Sequence, residues 1–190
     1  MPTLIADTVG QYQLPMQTGL TTILAAGDIL ASLRHASSAV GVRLRGLDVE
    51  ATVLTAFGAA QEVGFAAFIG RSYTVSPTGQ TAIVMGASGK KRAGYPSSLL
   101  GSAGDIRVAN TAGITAGTVT LDTQASARSS FWAGAIGAQI SKSYDFTTIE
   151  PGGICLLANE GLVIQNSILM GATGVVRWTF TPKWGEELFS

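Results

Sequence analysis

Charged side chains are scarce in this 190-residue chain: 12 basic and 12 acidic residues, 13% of the total, cancel to zero net charge. An average globular protein carries about 25%. That balance, with a pI near 6.6, excludes nucleic-acid binding through a strongly basic face. The single cysteine, Cys155, cannot form an internal disulfide, and with His35 as the only histidine no Cys/His metal framework is available. No stretch of about 20 continuous apolar residues exists, so no transmembrane helix and no membrane partner are expected. The first basic residue is Arg34, and the charged n-region of a secretory signal is missing.

Catalytic signatures are equally thin. His35 lies beside Arg34 in an apolar-patterned segment, and no G-x-S-x-G nucleophile elbow accompanies it. The run Gly86-Ala87-Ser88-Gly89-Lys90 imitates a phosphate loop, but Val84 stands where that loop needs glycine and Lys91 where it needs Ser or Thr. Ser88 to Lys91 matches S-x-x-K without its partner motifs. The carboxylates are scattered; Asp48 and Glu50 are the closest strand pair on one face, and nothing selects an acid/base pair for glycoside cleavage. The expectation is a protein that is not an enzyme, with no catalytic, cofactor or metal residues.

What is present is apolar and glycine-rich. Hydrophobic residues make up 46% and the mean hydropathy is +0.34, which excludes disorder. The 24 glycines compare with about 13 at average usage. Val40, Val42 and Leu44 alternate with Gly41, Arg43 and Arg45; after Gly46 the parity flips, so that Leu47, Val49, Ala51 and Val53 share a face. A one-residue phase shift at glycine predicts a strand with a β-bulge. Asp28 to Ala36 fits either a helix face or a strand, and is taken as strand. Val63 to Tyr73 reads as a strand apolar on both faces. Ile106 to Ala109, Thr118 to Thr123, Ser129 to Ile140, Ile154 to Ala158 and Leu162 to Asn166 are further strand candidates. Val176, Trp178 and Phe180 alternate cleanly with polar residues, and Pro182 predicts an edge strand or a strand end there. Short alternating strands with Gly-rich turns predict an all-β, jelly-roll-like antiparallel β-sandwich.

Residues 1–27 read as an extended N-terminal arm, broken by Pro2, Gly10, Pro15 and Gly19. Residues 28–190 read as a single sandwich domain with a long loop at 86–104. That loop holds the only basic run, Lys90-Lys91-Arg92, first a solvated tip and second a contact. Sparse charge, excess glycine and sheet edges with few charges to block pairing all favour a homo-oligomer, a trimer above other symmetries. The candidate subunit contacts are Leu4, Ile5, Tyr12 and Leu14 in the arm and Lys90, Lys91, Arg92 and Tyr95 in the loop.

Three stretches carry a likeness. They are Ala59-Ala60-Gln61-Glu62-Val63-Gly64-Phe65 with Arg71-Ser72-Tyr73-Thr74 and Thr78-Gly79; Asp105-Ile106-Arg107-Val108-Ala109-Asn110 with Thr115-Ala116-Gly117-Thr118; and Asn159-Glu160-Gly161-Leu162-Val163-Ile164 with Met170-Gly171-Ala172-Thr173-Gly174 and Arg177-Trp178. Together, over roughly Asp28 to Trp184, the chain resembles an uncharacterised family of structural-type proteins encoded by tailed bacteriophages and prophages. The resemblance implies a virion component made in the host cytoplasm, such as a capsid decoration (cement) protein. Its partners would be its own copies and other virion proteins such as the major capsid protein. The likeness carries over no binding or catalytic residues. The alternative is a tail-associated receptor- or carbohydrate-binding module, for which Tyr95, Trp132 and Tyr144 are the aromatic candidates.

Overall fold

Among the described residues, alternation and glycine-rich turns produce thirteen strands and one short 3-10 turn, Phe146–Thr148. The computed structural model describes residues 4–85, 90, 94–100, 105–115 and 117–189, with side chains from residue 10 to residue 187 of these. One sheet runs β1 (Leu4–Gln13), β13 (Val175–Phe189), β4 (Val40–Thr55), β10 (Gln139–Asp145), with β2 (Met16–Gln17) beside β13 and β11 (Ile154–Leu156) beside β4. The other runs β6 (Thr81–Ala82), β7 (Ile106–Val108), β3 (Ile29–His35), β12 (Glu160–Asn166), β5 (Gln61–Arg71), β8 (Thr120–Leu121), with β9 (Ala127–Ala133) also on β5. All these pairings are antiparallel. With β1/β2, β8/β9 and β10/β11 each taken as one lane, and the β6–β7 pair set aside, the lanes order 1-8-3-6 and 2-7-4-5. The two sheets pack as an antiparallel β-sandwich.

The predicted bulge is present. Across β4 and β13 the register runs Lys183 to Gly46 and then Trp184 to Leu44, leaving Arg45 without an opposite residue. On either side of it Val40, Val42 and Leu44, then Leu47, Val49, Ala51 and Val53, are buried. Between the sheets Trp178 stacks on Phe180 at 5.8 Å, and Phe65 of β5 meets both rings edge-on.

Within the expected arm, β1 and β2 together form the outermost lane along β13, so residues 4–13 and 16–17 pack on their own domain. Register shifts between Leu4 and Gly10 hide β1's period in the sequence. Pro182 is at neither an edge nor a strand end: it sits within β13, between β4 and the β1/β2 lane. It is tolerated because its carbonyl accepts from Leu14 N where β1 gives way to β2, so its missing N–H faces the interruption of that lane.

The stretches 72–79 and 109–115, joined by a bridge between Thr78 and Thr115, fold over the outer face of the second sheet as a partial third layer. Tyr73, Ala109 and Ile114 cover Ile29 and Val163 in a small second core. His35, at the end of β3, is fully buried; its Nε2–H donates to Val40 O at 2.8 Å, which leaves Nδ1 bare. Burial, outweighing that hydrogen bond, holds its pKa below the ordinary 6.5. The unfolded chain therefore binds the proton more readily. Stability is complete above about pH 6.5 and is lost as the pH falls below it. Urea midpoints are expected to decline from pH 7.5 to pH 5, with a shallower decline in His35→Gln.

Candidate functional site

The alternation of the chain between the two sheets gathers four connections at one end: residues 18–28, 56–60, 134–138 and 167–174. Hydrogen bonds join three of them, and the fourth, 134–138, is fixed on the end of β4. Thr21 and Val176 exchange backbone bonds at 3.2 Å, Met170 N donates to Leu24 O, and Gly58 N donates to Thr173 Oγ1. The Gln61 side chain accepts from Gly171 N, and Gly137 N donates to Val53 O. Asn166, fully buried, points its amide nitrogen at the carbonyls of Leu24, Ala25 and Ile168. Phe57 lies so close over Gly174 that a Cβ there would meet its ring at 2.0 Å, so only glycine fits.

Apart from Asp28, whose carboxylate is turned back onto Ala25 N, these four connections contain no charged residue. They carry Leu20, Ile23, Ile136 and Leu169, exposed by 49%, 62%, 68% and 65%. Together these side chains leave roughly 400 Å² of apolar surface in water, within the range that marks functional patches on monomers. Ile23 adds a second observation: its φ is +51°. A β-branched residue in the left-handed region costs on the order of 1–2 kcal/mol. Pinning at Thr21 and Leu24 on either side maintains that strain. Its only visible product is an isoleucine held out into solvent.

The residues expected from sequence to make contacts lie elsewhere. Tyr12 and Leu14 are a correction: both are buried in their own core, Tyr12 stacked on Trp184 at 5.8 Å, because the lane they occupy is closed by this chain. Burial, with the charges of Glu186 and Tyr95, pushes the Tyr12 phenol up to about 12. Leu4 and Ile5 are placed on β1 by their backbone, and their side chains lie outside the described residues, as do Lys91 and Arg92. Lys90 is half-buried and bridges the backbone of Tyr12. Tyr95 is also half-buried, in a stretch, 94–100, that Glu186 ties to β13. Of the aromatic candidates, Tyr144 is occupied, packed edge-on against Phe65 with its hydroxyl donating to Arg128 O. Trp132 is 65% exposed.

Leu20, Ile23, Ile136 and Leu169 were not singled out by sequence reasoning. The available signal was the charge-free stretches, of which Ala51 to Gln61 is one; their meeting at one end depends on the topology. Among the described residues no group of three or more His, Cys, Asp or Glu side chains is placed to hold a metal ion, and no helix is long and apolar enough to cross a membrane. Comparison with protein-family models and with curated proteins gives no match for this chain.

Proposed function

We propose that the chain is a non-enzymatic structural component of a phage particle, a decoration or cement-type protein acting through its uncharged loop end. The observation that carries this reading is that end, four connections that display exposed aliphatic side chains, one of them on a strained backbone. The family resemblance supplies the virion setting, with the major capsid protein and further copies of the chain as partners. A closed homo-oligomer, a trimer by preference, would bury such an end and offset the scarcity of surface charge.

The strain at Ile23 makes the reading testable in two directions at once. Asparagine is at ease in the left-handed region, so Ile23→Asn is expected to raise the unfolding free energy of the isolated domain by about 1 kcal/mol. The same variant, and more strongly Ile136→Asp with Leu169→Asp, is expected to lower the mass measured by light scattering from oligomer to monomer. A wild-type chain that stays monomeric at high concentration and is missing from purified particles by mass spectrometry would overturn the proposal.

A further inference from the structure

Around the corner from the loop end, the outer face of the second sheet carries a groove of about 320 Å³ lined by Glu62, Arg128, Ser129, Ser130, Ser167 and Ile168. The register of β5 against β9 sets Glu62 opposite Trp132, Gly64 opposite Ser130 and Ala66 opposite Arg128. Arg128, Ser130 and Trp132 are therefore successive outward positions of one strand, and all three are exposed. Gly64 is the floor. A Cβ there would come within 2.8 Å of Ser167 Oγ and 2.9 Å of both Ser129 O and Ser130 Cβ, so any other residue would fill the groove. The Ser130 hydroxyl donates to Glu62, and the Arg128 guanidinium has no partner among the described residues.

The chemistry of the lining limits the ligand. Glu62 only accepts and Arg128 only donates, while the hydroxyls of Ser130 and Ser167 do both. One carboxylate beside one guanidinium cancels, so the groove selects neither phosphate nor ammonium groups. Trp132 adds a wide apolar ring at the rim. A ligand that suits all of this has one C–H face to lie on an indole and a ring of neutral hydroxyls that both donate and accept. We infer that the groove floored by Gly64, with the Trp132 ring beside it, is a binding site for a neutral oligosaccharide. Ser167 and Ile168 begin the 167–174 connection, so the groove borders the loop end, but it uses none of Leu20, Ile23, Ile136 and Leu169.

Fluorescence can read the site directly, because Trp178 and Trp184 are fully buried and Trp132 is the exposed indole of the three. The full-length chain is screened on an array of neutral oligosaccharides, and the best-bound one is titrated in soluble form against acrylamide quenching. The expected result is saturable protection of Trp132, weakened at least tenfold in Gly64→Ala and in Ser167→Ala, both of which retain the reporter. Array binding should be lost in Trp132→Ala. Oligomer mass should be unchanged in Gly64→Ala and Trp132→Ala, which lie on β5 and β9 outside the loop end, and this separates the inference from the assembly reading. It would be overturned by no neutral saccharide binding the wild type, or by Trp132→Ala and Ser167→Ala binding as the wild type does. Tighter binding of sulfated or phosphorylated glycans than of neutral ones would also refute the assignment.

Discussion

Replacing Arg34 by alanine is expected to remove about 3–5 kcal/mol of stability and lower the thermal midpoint by on the order of 10 °C. All five N–H donors of this guanidinium are used. They reach Asp105 Oδ1 at 2.8 Å, Tyr73 O at 2.6 Å, Asn159 Oδ1 at 2.9 Å, Ser76 Oγ at 3.1 Å and Thr74 O at 3.3 Å. The acceptors come from 73–76 in the outer layer, from Asp105 just before β7 and from the turn before β12, so one side chain stitches that layer to β3. Asp105 is fully buried and the Arg34 side chain is 13% exposed. At that depth the loss of one partner outweighs the modest worth of the intact pair, since the carboxylate stays buried without the guanidinium. Lysine cannot substitute, because one ammonium cannot reach five divergent acceptors. Non-additivity is the signature: Arg34→Ala/Asp105→Ala should be no less stable than Arg34→Ala. A single-variant loss under about 1 kcal/mol in urea titration, or simple additivity, would show that the layer is held mainly by its apolar contacts.

This network also shows where sequence legibility stops. β4 and β13 are legible because each is central, buried on one face and long enough to show its period, with even the bulge at Arg45 marked by a parity flip. β10 is not, because in Gln139–Asp145 only Ile140 and Tyr144 pack inward, and such an edge strand leaves almost no hydrophobic signal. The sequence pattern therefore runs it together with β9 as Ser129 to Ile140, across the turn at 134–138 that carries Ile136. Arg34 stands out in the sequence only as the neighbour of His35, since its partners lie 39 to 125 residues away. The same holds for the candidate sites. Charge-free stretches are visible one by one, but only the alternation of the chain between two sheets brings them to one end. Glu62, Arg128 and Ser167 likewise meet across three separate segments.

Glu186→Ala is expected to cost about 3 kcal/mol and to loosen one stretch of chain selectively. Glu186, on β13, is fully buried, and its carboxylate is surrounded by donors. Leu99 N reaches both oxygens, at 3.1 and 3.0 Å, while Leu100 N at 3.3 Å, Trp184 Nε1 at 3.4 Å and the Ser98 hydroxyl converge on Oε1. These are charge-assisted bonds, roughly twice as strong as neutral ones, and alanine would leave several of the donors buried and unmet. Glutamine is no remedy. Leu99 N uses both oxygens, and an amide can offer an acceptor at only one of them, so Glu186→Gln should lose about half as much. The stretch 94–100 will not leave the sheet altogether, because the fully buried Leu100 side chain contributes about 1.5–3 kcal/mol of its own. What should change is local opening: hydrogen exchange at the Leu99 and Leu100 amides is expected to accelerate about 100-fold while β4 and β13 stay protected. Unchanged exchange would mean that Leu100 alone holds the segment. With the carboxylate intact, Tyr95 and the half-exposed Leu99 are carried on chain already ordered by its own sheet. A neighbouring subunit that met them there would not have to offset the entropy of fixing that loop.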